Sequence, residues 1–116
     1  PVVGVPPRLR LDGPIDTAVP LDLVDDLVPV LRESLTNVGK HAGDVGEVSV
    51  ALSVTDGVVT LEVRDDGVGP GPLGPGRTDG GLGLANLRAR ARRRGGRLEF
   101  GSASGGGTRV LWSVPL

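Results

Sequence analysis

Asp65-Asp66-Gly67-Val68-Gly69 places a carboxylate and two glycines at a spacing that suits a flat ligand bearing an amine. Glycine lets a backbone come close to such a ligand, and a carboxylate at a strand end accepts a hydrogen bond from an exocyclic amine. Alone, the run reads equally as a glycine turn leaving a sheet. A second set is Glu33, Asn37, Lys40 and His41, whose steps of four, three and one put them on one polar face of a helix. Alone, that face reads as solvated, yet Asn37 is a poor helix former in a mid-helix position and needs a reason to be there. Third, Gly81-Leu82-Gly83 opens a helical stretch, and flexible glycines before a helix N-terminus make a ready anion site. The run is neither a Walker loop nor a dinucleotide fingerprint, because it lacks the Lys-Ser/Thr ending of the first and the strand and third glycine of the second. Gly107-Thr108, entering the last strand, is a common pairing and weak by itself.

The elements that must position these residues are legible from periodicity. Arg8 to Asp12 alternates as a short strand, closed by Gly13-Pro14. From about Leu21 to Ala42 the spacing is helical, with Leu27, Leu31, Leu35, Val38 and Ala42 as the apolar stripe. Pro29 lies inside that pattern and predicts a kink or a break. Val48–Val54 and Val58–Val63 alternate around Asp56-Gly57 and read as a hairpin. A Pro/Gly-rich loop follows to Gly81, and then a helix from about Leu82 to Arg94 carries Leu84, Leu87 and Ala91 on one side. Gly95-Gly96 stops it, and Arg97–Gly101 and Thr108–Val114 are the last two strands. The order β, α, β, β, loop, α, β, β predicts an α+β, two-layer sandwich: a mixed, mostly antiparallel sheet of about five strands covered by helices on one face. Residues 1–7 read as a lead-in and 8–116 as one domain.

Composition narrows the function. There is no cysteine, so disulfides and thiolate metal sites are excluded. A net charge of −1 and only two aromatics, Phe100 and Trp112, argue against a nucleic-acid surface. No apolar run approaches the roughly 20 residues that span a bilayer, so direct membrane contact is not expected. The Arg88–Arg94 run, with five arginines, reads as a charged outer helix face, or alternatively as a docking surface. The opening Pro1 reads as a piece cut from a longer protein.

In this order the four motifs resemble the ATP-binding superfamily shared by gyrase, Hsp90, the mismatch-repair ATPases and histidine kinases, known for the Bergerat-type fold. Glu33-x-x-x-Asn37-x-x-Lys40-His41-Ala42 resembles its N box, Asp65 to Gly69 its first glycine box, Gly81 to Ala91 its second, and Gly107-Thr108 its closing motif. The resemblance runs from about Pro20 to Leu116. The Lys-His-Ala ending and the Leu87-Arg88-Ala89-Arg90-Ala91 run resemble sensor kinases of the nitrate-sensor and desaturase-regulating type. Asp12-Gly13-Pro14, Arg32 to Asn37 and the Gly107-Thr108 strand resemble the actinobacterial redox and hypoxia sensor kinases. Two departures are a short 70–80 segment without phenylalanine and Val38-Gly39 in place of a common alanine, a helix cost of about 1 kcal/mol.

The resemblance implies ATP and Mg²⁺ as ligands. Asp65 would accept the adenine amine, Gly67 and Gly69 would make room for the base, and Asn37 would give a neutral oxygen to Mg²⁺. Lys40 would face the phosphates as a point charge, and Gly81, Gly83 and the helix that follows, with Leu84, would cradle them. Thr108 would bond near the adenine, and Glu33 would support Mg²⁺ or the acceptor geometry. His41 is the only histidine; inside the N box it reads as structural or phosphate-facing and not as a phosphoacceptor. The implied partners are the protein's own dimerisation and phosphoacceptor domain, a response regulator and a second copy of the full-length chain, in the cytoplasm. An anti-sigma-factor-type serine kinase shares these boxes, and an interaction module without turnover is the alternative of a different class.

Overall fold

The computed structural model describes residues 8–13, 17, 19–41, 47–67, 78–102 and 106–116, with the backbone alone at 37–41, 78–83 and 102. In chain order the elements are β1 (Arg8–Asp12), α1 (Leu21–His41), β2 (Val48–Thr55), β3 (Val58–Asp65), α2 (Thr78–Arg93), β4 (Arg97–Ser102) and β5 (Thr108–Pro115). They form the expected α+β arrangement. The five-stranded sheet has the order β1-β2-β3-β5-β4; β1 runs parallel to β2 and the other neighbours are antiparallel.

Alternation along each strand decides which face is covered. Rows of apolar side chains cross the sheet in register: Val50, Val63, Val110 and Phe100 in one row, Leu52, Leu61, Trp112 and Leu98 in the next, Val54, Val59 and Val114 in a third. The two helices pack on this face, α1 through Leu23, Leu27 and Val30 and α2 through Leu87 and Ala91. Trp112, fully buried, donates its indole Nε1–H to the Leu87 carbonyl at 3.1 Å, which satisfies the ring and ties β5 to the middle of α2. The other face carries polar pairs such as Arg109 with Glu62 at 2.5 Å. The β2–β3 turn has Asp56 at φ 53° and Gly57 at φ 76°, the two left-handed residues that a tight hairpin needs.

Three expectations change. The buried stripe of α1 is Leu23, Leu27, Val30 and Ser34, while Leu31 and Leu35 are half-buried at its flank and Ala42 lies outside the described residues. Leu27, Leu31 and Leu35 follow at two successive steps of four and drift around a 3.6-residue helix, whereas the steps of four, three and four from Leu23 to Ser34 stay on one side. Ser34 is tolerated there because its hydroxyl donates to the Val30 carbonyl at 2.8 Å. Pro29 does not divide the segment, since α1 is one continuous helix through it. Finally, α2 starts at Thr78, so Gly81 and Gly83 fall within its first turns and not ahead of it. Thr78 and Asp79 are residue types that favour helix starts.

The arginine run is also not simply an outer face. Arg90 donates to Asp26 Oδ1 at 2.7 Å and Arg94 to Asp26 Oδ2 at 2.5 Å, closing the seam between the helices. Burial by itself would raise the Asp26 carboxyl, but the hydrogen bonds from Arg94 and Arg90 outweigh it and hold the group below its ordinary value.

α2 ends in a Schellman motif: Gly96 N–H bonds to the Ala91 carbonyl at 2.8 Å, Gly95 N–H to the Arg92 carbonyl at 3.0 Å, and Gly95 has φ 76°. A Cβ on Gly96 would lie 2.0 Å from the Ser113 carbonyl oxygen and 2.7 Å from Val114 Cα, all backbone atoms of β5. Gly96→Ala is therefore expected to cost about 3 kcal/mol and lower the melting temperature by about 10 °C. Gly101→Ala, whose Cβ would meet nothing within 4 Å among the described residues, is the control. Equal melting temperatures for the two variants would refute the close approach.

Candidate functional site

Asp65 is the last residue of β3 and continues the inward alternation of Val59, Leu61 and Val63, so its carboxylate points into the covered face and is only 5% exposed. Oδ1 accepts two backbone bonds, from Gly67 N–H at 2.8 Å and from Thr108 N–H at 3.3 Å. Oδ2 is buried and has no hydrogen-bond partner among the described residues. Burial is the largest influence on this group and raises its pKa; the bonds from Gly67 and Thr108 lower it in part, and the charge of Asp66 raises it again. A buried acceptor left open is costly unless a donor meets it. The carboxylate is thus half fixed by the backbone and half available to a ligand amine.

The frame around it is tight. Asp66 N–H bonds to the Glu47 carbonyl at 3.2 Å, and Glu47 N–H to Asp66 Oδ1 at 2.9 Å, which pins the exit of β3 to the entry of β2. On the other side Gly107, at φ 90°, presses so close that a Cβ would lie 1.9 Å from the Asp65 carbonyl oxygen. Its importance was not evident in the sequence beyond membership of a Gly-Thr pair, because the contact joins segments some forty residues apart. The glycine run that precedes Thr108 was the available signal.

The structure brings Asp65, Gly67 and Thr108 together. Thr108 contributes through its backbone N–H, its residue being half-buried. Leu84 is half-buried and packs against the core cluster. Glu33 is half-buried on α1. Asn37, Lys40 and His41 occupy the C-terminal turns of α1 and Gly81 and Gly83 the first turns of α2, with their side-chain surroundings outside the described residues. Gly69 and the 70–77 part of the short segment before α2 lie outside them too.

A profile described as histidine kinase-, DNA gyrase B- and HSP90-like ATPase matches residues 22–116. The chain belongs to this ATPase family. Similar proteins are sensor kinases. The nitrate/nitrite sensor protein NarQ of Escherichia coli is 38% identical over 105 residues, covering 89% of this chain and 18% of that protein. Sensor histidine kinase NarS of Mycobacterium tuberculosis is 39% identical over 116 residues, covering 97% of this chain and 26% of that protein. The chain thus spans about a quarter or less of these relatives. Among solved structures, the blue-light activated histidine kinase of Erythrobacter litoralis superposes with a TM-score of 0.73 at 26% identity, over 95% of this chain and 35% of that one. As a member of the ATPase family the domain has an ATP-binding fold, and the open acceptor on Asp65 fits an adenine amine.

Proposed function

We propose that residues 8–116 are the ATP-binding catalytic domain of a two-component sensor histidine kinase, with 1–7 as its lead-in. The domain binds Mg-ATP and passes the γ-phosphate to a histidine on a separate dimerisation domain of a homodimeric, cytoplasmically facing protein, from which a response regulator receives it. The observation that carries the reading is the buried Asp65 Oδ2 without a partner among the described residues, next to Oδ1 held by Gly67 and Thr108. Oδ2 accepts the adenine amine; guanine sets a carbonyl there, and two acceptors repel. Gly67 and Gly69 give the base room, and Thr108 bonds beside it. Asn37 supplies a neutral oxygen to Mg²⁺, Lys40 and His41 face the phosphates, and Gly81, Gly83 and Leu84 on the first turns of α2 enclose them. Glu33 supports the metal or the incoming histidine. Bound Mg²⁺ neutralises phosphate charge, and the residues of this chain act by positioning. The sensor-kinase names of the relatives favour this reading over the serine-kinase one.

Titration with a non-hydrolysable ATP analogue and Mg²⁺ is expected to show binding, and the GTP analogue is expected to bind about 100-fold more weakly. With labelled ATP the isolated chain is expected to incorporate no phosphate, since its one histidine, His41, lies in the N box. No binding of either nucleotide would support the interaction module, and labelling of the chain would refute the separation of ATP site and acceptor.

A further inference from the structure

α2 is held at two levels. At its middle, the Leu87 carbonyl accepts the Trp112 indole N–H. At its C-terminal end, Asp26 of α1 receives Arg90 at 2.7 Å, Arg94 at 2.5 Å and Arg93 at 3.6 Å. Arg94 also reaches Asp22, bonding its carboxylate at 3.2 Å and its backbone carbonyl at 2.7 Å. The centre of this cluster is largely shielded, with side-chain exposures of 14% for Asp26 and 24% for both Arg90 and Arg94. One carboxylate therefore hydrogen-bonds two guanidinium groups, with a third as a longer and more exposed ion pair, in a seam away from the adenine end of the site.

We propose that Asp26 is a positioning residue for the phosphate end of the nucleotide: by clamping Arg90 and Arg94 to α1 it fixes the placement of α2, whose first turns carry Gly81 and Gly83. The inference rests on the ATP-site reading above. A helix is stiff along its axis, and Arg90 and Gly83 are seven residues apart, about 10 Å at 1.5 Å per residue. Loss of the anion removes the attraction that draws Arg90 to α1 and leaves partly desolvated guanidinium groups that gain by turning out to water, so the seam loosens around the one remaining tie, Arg94 to Asp22. A tilt there is carried to the glycine-bearing end, while Asp65, held by β3 and the entry of β5, stays where it is. Displacements of about 1 Å are enough to weaken a positioned contact strongly.

The test compares two ligands on the 116-residue chain: adenosine, which has the base and no phosphates, and a non-hydrolysable ATP analogue with Mg²⁺. Asp26→Asn is expected to weaken the ATP analogue about 10-fold and to leave adenosine affinity within about two-fold. Asp26→Glu, which keeps the charge, is expected to recover most of the ATP affinity. Arg90→Gln removes one arm from the other side and is expected to give the same split, which keeps the test decisive if Asp26→Asn does not fold. Unchanged affinity for the ATP analogue, or equal losses for both ligands, would overturn the proposal. If the wild-type chain bound neither ligand, the adenine reading would fall and this one with it; wild-type binding of both without a split in the variants would sink only the role of Asp26.

Discussion

Asp65→Asn is expected to weaken ATP binding by about 100-fold or more while leaving the empty domain folded and somewhat more stable at neutral pH. The two halves of this result come from the two oxygens. Oδ1 has backbone donors in Gly67 and Thr108, and an amide oxygen can accept both. Oδ2 has none among the described residues, and an amide nitrogen placed there presents a donor to the adenine amine, itself a donor. In the empty domain the balance reverses. Burial raises the Asp65 pKa, so its charged form costs stability at pH values above the raised value, and that cost is relieved as pH falls through it. Asp26 runs the other way: its arginine partners lower its pKa, so its contribution is present above the ordinary carboxylate value and lost as pH falls through the lowered one. The stabilisation by Asp65→Asn should therefore be largest near pH 7 and shrink toward acid, read by thermal denaturation of both proteins across the range. A variant that melts lower than wild type at pH 7, or that keeps full ATP affinity, would remove the role given to Oδ2.

What was legible in the sequence, and what was not, follows the range of the interactions. Strand alternation is local, so the hairpin around Asp56-Gly57 could be read directly; the strand reads to Val63, and it is the pairing with β2 that carries β3 on to Asp65 and turns its carboxylate inward. The Gly95-Gly96 stop was equally local, and the structure completes it as a two-bond cap. The stripe of α1 was harder, because several rows of apolar residues compete on one helix and only the packed sheet selects Leu23, Leu27 and Val30 over Leu31 and Leu35. Within the arginine run Arg88, Arg92 and Arg93 are exposed as an outer face requires, and only Arg90 and Arg94 depart from it, for a different reason. Their partners Asp22 and Asp26 lie more than sixty residues earlier, and nothing in a charge run names its distant counter-ion. The start of α2 was misplaced because glycine is a poor helix residue on its own, and local propensity was set against a helix that the structure begins earlier.

Gly107→Ala should be the most damaging single methyl in the site. Gly107 has φ 90°, which an L side chain rarely adopts, and its Cβ would lie 1.9 Å from the Asp65 carbonyl oxygen and 2.7 Å from the carbonyl carbon. Those are backbone atoms at the end of a central strand, so no rotamer change relieves the overlap. Backbone strain of about 1–3 kcal/mol and overpacking of similar size add to roughly 4 kcal/mol, or about 15 °C in melting temperature. Gly106→Ala separates the two causes: its φ is 107° but a Cβ there would meet nothing within 4 Å among the described residues, so it carries the strain alone. The site should distinguish them as well. Gly107 holds the entry of β5 against the exit of β3, and that approach delivers Thr108 N–H to Asp65 Oδ1 at 3.3 Å. If the alanine pushes these strands apart, Asp65 loses one of its two anchors and its free oxygen loses its aim. ATP affinity should fall in Gly107→Ala and survive in Gly106→Ala when both are measured below their melting temperatures. Matching losses in the two variants would mean that conformational strain, and not the contact with Asp65, is what the glycine is there to avoid.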